Sequence, residues 1–165
     1  MTFEPRVLFV RYLERLQHLV KVSEIAGLEL LSARLAPDML PFANQVSAAA
    51  GFALRACCPL AGKEVVRFSR PEPGFAVLLE ELKDTRAYLE ELPALNLEMA
   101  GLLEDKAGFE TVSLPAGEFL YCYALPNFFF HFSMAYAIAR QQGVVLSKAD
   151  FDGYHTYPVG FSFNS

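Results

Sequence analysis

The chain has 165 residues, 53% of them hydrophobic and 20% charged, with a mean hydropathy of +0.26. That length and composition exclude intrinsic disorder and provide for a single domain with a full core. A net charge of −5 and a pI near 5.2, with no concentrated run of Lys and Arg, exclude binding to a nucleic acid backbone, which needs cations to displace counterions.

The first amphipathic stretch runs from Arg6 to Ala26, where Phe9, Leu13, Leu16 and Val20 recur at helical spacing and Gly27 closes the helix. His18 shares the opposite face with Arg11, Glu14 and Lys21, which reads as a solvated charged stripe. A second helix is predicted over 37–58, with Pro37 in its first turn, Asp38 at its positive end, and Pro59 and Gly62 as stops. Its alanine-rich middle, with Gly51, is suited to close approach by another helix. After the proline-bearing connection 67–74, the residues Phe75, Leu78, Leu82, Leu89 and Leu92 line one face of a third helix over 74–92, ended by Pro93. The region from there to Gly117 reads as irregular, with one candidate strand over Phe109–Leu114. A fourth helix over 118–142 closes at Gly143.

Within that helix, Phe119–Ala139 carries no formal charge and is long enough to span a bilayer. Tyr121, Tyr123 and Tyr136 run through its interior together with Pro126, Asn127 and His131, whereas membrane spans place tyrosines mainly at the two interfaces. A helix buried on most sides accounts for the same pattern, so no membrane association is predicted. Cys57, Cys58 and Cys122 have no disulfide or zinc spacing. The start of the chain lacks the features of an export leader. Both point to a cytoplasmic setting.

These elements predict an all-α fold, an antiparallel four-helix bundle occupying residues 1–151. The segment 152–165, with Tyr154, Tyr157, Phe161 and Phe163, is too aromatic to be left in water, and is expected to pack on the bundle or on a partner chain.

The polar spot of the fourth helix is Asn127 and His131, four residues apart on one face, just after Pro126 and near Tyr123. Pro126 deprives the Cys122 carbonyl of its usual donor, so it kinks the helix or begins its last regular part. His131 is the one plausible general base, unless a tyrosine hydroxyl or the freed carbonyl simply satisfies it. Cys57 and Cys58, at the negative end of a helix, are poorly placed to form thiolates, and Cys122 reads as a small core residue.

The segments Ala33-Arg-Leu-Ala-Pro-Asp-Met-Leu-Pro-Phe-Ala-Asn-Gln-Val46 and Leu125-Pro-Asn-Phe-Phe-Phe-His-Phe-Ser-Met-Ala-Tyr-Ala-Ile138, followed by Gly143 and Lys148-Ala-Asp-Phe151, resemble an uncharacterised family of the DinB/YfiT-like superfamily. The resemblance covers residues 5 to 151 and leaves the aromatic tail outside. It implies a DinB-type four-helix bundle, often dimeric, in a group that includes metalloenzymes and thiol-dependent transferases. Those members hold a divalent metal through one histidine on helix two and two histidines four apart on helix four. Here His131 matches the second of the pair, Asn127 stands at the first, and Asn44 or Gln45 stands near the helix-two position. Amides are poor ligands for zinc or nickel, so a tightly bound transition metal is not expected.

Two functions follow as expectations. The first is a pocket near Asn44, Tyr123, Asn127 and His131 that binds a small organic molecule. The second is a non-catalytic interaction protein, with a satisfied polar core and a homodimer formed through the bundle face or the tail.

Overall fold

The computed structural model describes residues 4–72 and 74–164. Helix α1 spans Pro5–Ser23, with proline in its first turn, where a missing N–H costs nothing. Its buried stripe is Phe9, Leu13, Leu16, Leu19 and Val20. The helix tightens into a 3-10 turn, Glu24–Ala26, and Gly27 reverses the chain at φ 78. A second 3-10 turn, Leu28–Ser32, inserts Leu30 and Leu31 into the core.

Helix α2 is Phe42–Leu60, starting five residues later than the sequence pattern predicts. Pro37 and Asp38 belong to a turn closed by the Met39 N–H donating to the Ala36 carbonyl at 3.0 Å. Pro41 takes the cap position with ψ 165, and a proline there disfavours helical geometry at Leu40. Helix α3 is Phe75–Glu91.

The prediction of an all-α chain is corrected by a two-stranded antiparallel sheet. Strand β1, Leu102–Ala107, pairs with β2, Glu110–Pro115, in the register Leu102 to Pro115 through Ala107 to Glu110. The candidate strand over 109–114 coincides with β2, whereas β1 lies in the stretch read as irregular. Gly108, at φ 64, opens the two-residue turn between the strands. Only Leu103 of the hairpin is buried, so a periodic apolar signal is missing from β1.

The last long helix is continuous in space but changes pitch. It begins as α4, Ala116–Glu118, widens into a π-helical stretch, Phe119–Ala124, and continues as α5, Leu125–Gln141. The Leu125 N–H donates to the Leu120 carbonyl, five residues back. Pro126, which has no N–H to give the Cys122 carbonyl, follows directly, so the regular α-helix begins at the proline as the sequence pattern allows.

Helix α1 packs on α3, α3 on α2, and α2 along α5, enclosing one core. The circuit closes through edge-to-face aromatic pairs, Phe9 with Phe128 at 5.2 Å and Tyr12 with Phe129 at 4.8 Å. Alanines 49, 50, 53 and 56 of α2 are buried, so the small residues do permit close packing. Gly51 is the exception: a Cβ built there meets nothing within 4 Å. No helix among the described residues is long and apolar enough to cross a membrane.

A short helix α6, Lys148–Asp152, starts from a Ser147–Asp150 capping box. It corrects the reading of His18 and Arg11 as part of a solvated stripe, whereas Glu14 and Lys21 are exposed as that reading expects. Arg15 donates to the carbonyls of Ala149 at 3.1 Å and Asp150 at 2.8 Å, Arg11 donates to the Asp152 carbonyl at 3.3 Å, and His18 Nε2 pairs with Asp150 Oδ1 at 2.9 Å. Basic side chains thus satisfy the last carbonyls of α6 and dock it on α1. Beyond it, Tyr154 lies beneath the Arg11 guanidinium at 4.1 Å, Tyr157 stacks on Phe161 at 5.2 Å, and Phe163 is 82% exposed. Cys57 and Cys58 are fully buried, and burial is the main cause raising both thiol pKa values, so neither is a ready nucleophile. Cys122 is exposed, contrary to its reading as a core residue.

Candidate functional site

The His131 ring is half-buried on α5 and faces α2. Its Nδ1 lies 2.7 Å from Gln45 Oε1, and its face stacks on the Phe52 ring at a centroid distance of 5.5 Å and an interplanar angle of 22°. Gln45 is 1% exposed, and its Nε2 donates to the Leu40 carbonyl at 3.1 Å. A carbonyl accepts only from the NH₂ end of the amide, so this bond fixes which end of Gln45 faces the histidine. Oε1 is an acceptor, so the histidine partner is the Nδ1–H, and the neutral ring carries its lone pair on Nε2. Burial, and then the charge of Arg55, lower the His131 pKa below its ordinary value of 6.5, favouring that neutral form.

About two and three turns further along α2 from Gln45, the same side of the helix carries Phe52 and Arg55. The guanidinium lies 4.0 Å from the Phe52 ring centre and reaches across to the hairpin. Its Nε donates to Asp105 Oδ2 at 2.6 Å, and its Nη2 donates to the Tyr123 hydroxyl at 2.9 Å and the Lys106 carbonyl at 3.1 Å. The Tyr123 hydroxyl in turn donates to Asp105 Oδ2 at 3.0 Å. Arg55, Asp105 and Tyr123 therefore form a closed triangle joining α2, β1 and the π-helical stretch. Burial is the main cause raising the Tyr123 pKa, so the phenol is a hydrogen-bond donor rather than a base.

Three of the residues singled out in the sequence lie four apart along one face of the last helix: Tyr123, Asn127 and His131. Asn127 Nδ2 donates to the Tyr123 carbonyl at 2.8 Å, within its own helix. Asn44 does not join them. It is exposed on α2 and lines a separate cleft of about 530 Å³ with Ser47, Arg70 and Glu81, a cleft that His131 does not line. At helix two, the neighbouring Gln45 is the residue that meets His131. Phe52, Arg55 and Asp105 escape sequence reading. Phe52 and Arg55, seven and ten residues after Gln45 on α2, are a signal for the first two, while Asp105 becomes visible only through hairpin pairing.

The donor set does not fit a three-histidine metal site. His131 is the one imidazole, its Nδ1 is engaged by Gln45, and the Asn127 amide nitrogen is turned onto backbone. Among the described residues, no three His, Cys, Asp or Glu side chains come together as a metal-binding group.

Comparison with known proteins is consistent with this architecture. No curated protein matches the chain. A crystal structure of a DinB family member protein from Shewanella denitrificans superimposes with a TM-score of 0.79 at 27% sequence identity, covering 93% of this chain and 92% of that one. The family model described as domain of unknown function DUF1993 matches residues 7–152, ending where the aromatic tail begins. The chain therefore belongs to the DUF1993 family, within the DinB-like superfamily.

Proposed function

We propose that this chain is a cytoplasmic DinB-type four-helix bundle that binds a small organic molecule at His131, where α2 meets α5, without a tightly held transition metal. The observation that supports this most is the Gln45–His131 hydrogen bond at 2.7 Å. A metal site of the DinB kind would need an imidazole or carboxylate where Gln45 stands, whereas Gln45 instead orients His131 as a neutral acceptor. Nε2 is then the group that would accept a hydrogen bond from a ligand N–H or O–H, and the general base of any reaction. Phe52 stacks on the imidazole, and Arg55 supplies positive charge at the hairpin end, where the Tyr123 hydroxyl proton is already given to Asp105.

The experiment pairs elemental analysis after extensive dialysis with a calorimetric screen of small organic acids, amides and alcohols. The reading expects far less than one zinc, nickel or iron per chain, and at least one ligand whose binding is lost in His131→Ala while the melting transition stays cooperative. Near one metal per chain, lost in the same variant, would overturn it.

A second reading, a homodimeric interaction protein, draws support from the exposed aromatics Tyr154, Phe161 and Phe163, rings that a partner chain would cover. Sedimentation of the full chain and of a chain ending at Gly153 distinguishes the two readings. A dimer that becomes monomeric on truncation favours the interaction protein.

A further inference from the structure

The cleft that Asn44 lines is bounded by the outer face of α2, by Glu81 of α3 and by the extended crossing 65–71, and has a volume of about 530 Å³. Glu81 is 3% exposed, yet it borders this cleft and the smaller one beside it. Its Oε2 accepts from Ser47 at 2.7 Å, and Oε1 has no hydrogen-bond partner among the described residues. A carboxylate buried behind one hydroxyl is poorly solvated, and its pKa is raised by burial more than Ser47 and Arg70 restore it. A cation arriving from the cleft would relieve that cost.

The other charges of the lining are mostly spent. Arg55 is paired with Asp105, and Arg70 with Glu80 and Asp84. Arg67 is exposed on the crossing and has no ion-pair partner among the described residues. The rest of the lining is largely apolar, from Leu40, Ala48, Leu54, Val65 and Phe68, and the space over Gly51 is open. We propose that this cleft binds a small zwitterion of the neutral amino acid class, its ammonium on Glu81, its carboxylate on Arg67 and its apolar side chain against the α2 wall. His131 does not line this cleft, and Arg55 borders both sites.

The test is isothermal titration calorimetry of the full chain with leucine, with isoamylamine, which lacks the carboxylate, and with isocaproate, which lacks the amine. Leucine should bind tightest. Glu81→Gln should weaken leucine and isoamylamine by about tenfold or more, the scale of a lost charge-assisted hydrogen bond. Arg67→Met should weaken leucine toward isoamylamine while leaving isoamylamine unchanged. Gly51→Phe, placed where a side chain meets open space, should block both and keep a cooperative melt, which carries the test if Glu81→Gln fails to fold. Absence of leucine binding to the wild type, isocaproate binding as well as leucine, or undiminished leucine binding by either Glu81→Gln or Gly51→Phe would overturn the proposal. His131→Ala should leave leucine binding intact, which separates failure here from failure of the His131 site.

Discussion

Gln45 on α2 and His131 on α5 meet across the helix interface at 2.7 Å, and the Leu40 carbonyl holds Gln45 in the one orientation that makes His131 Nδ1 the donor. Replacing Gln45 by Leu leaves both the Leu40 carbonyl and the His131 Nδ1–H without their partner. The cost should be about 1–3 kcal/mol, the usual penalty for stranded buried polar groups, read from denaturant midpoints. A loss within about 0.5 kcal/mol, the range of ordinary surface substitutions, would mean that water already serves both groups.

His131 also makes stability depend on pH. Its pKa is lowered in the folded protein by burial and by Arg55, so the unfolded chain binds the proton more readily. The stability associated with the neutral ring is complete above its ordinary value of 6.5 and is lost as pH falls through that value toward the folded one. Unfolding free energies should therefore decline below about pH 6.5, and His131→Phe should remove that part of the decline. A decline that persists unchanged in the variant would assign it elsewhere. Asp150 acts lower, below its ordinary 3.8, since its folded pKa is depressed by the Ser147 backbone N–H and by His18.

The Arg55–Asp105–Tyr123 triangle ties the hairpin to the helices. Asp105→Ala strands a mostly buried guanidinium and should cost about 1–3 kcal/mol. Hydrogen exchange should then speed up selectively over Leu102–Pro115. Tyr123→Phe, which removes one hydroxyl and keeps the ion pair, should cost less. Uniform exchange across the chain in Asp105→Ala would show that the triangle does not anchor the hairpin.

Gly51 sits inside α2 with no conformational need to be glycine and no neighbour within 4 Å of a Cβ. Gly51→Ala should stabilise the protein by about 0.5–1 kcal/mol through helix propensity and reduced unfolded-state entropy. Destabilisation would show that the cleft closes over this position.

Much of the helical framework is legible because each long helix has an apolar stripe and a stop: Gly27 after α1, Gly62 after α2, Pro93 after α3 and Gly143 after α5. The start of α2 is misread because Pro37 and Pro41 are both plausible helix starters, and only the turn that places Met39 N–H on Ala36 selects the second. Strand β1 carries Glu104, Asp105 and Lys106 with one buried leucine, a pattern held by pairing and by Arg55 rather than by hydrophobic alternation. His131 is visible as a polar residue amid phenylalanines. Its partner is harder to read, because Asn44 and Gln45 are adjacent amides, and only the rotation of α2 decides which faces inward.

The central claim is that His131 is a neutral, Gln45-oriented acceptor rather than a metal ligand. Long-range proton–nitrogen NMR of the imidazole, recorded through a pH titration, reads both tautomer and pKa. The account predicts the Nδ1–H tautomer with an unprotonated Nε2 and a pKa below 6.5. An Nε2–H tautomer, or a pKa at or above that value, would contradict it.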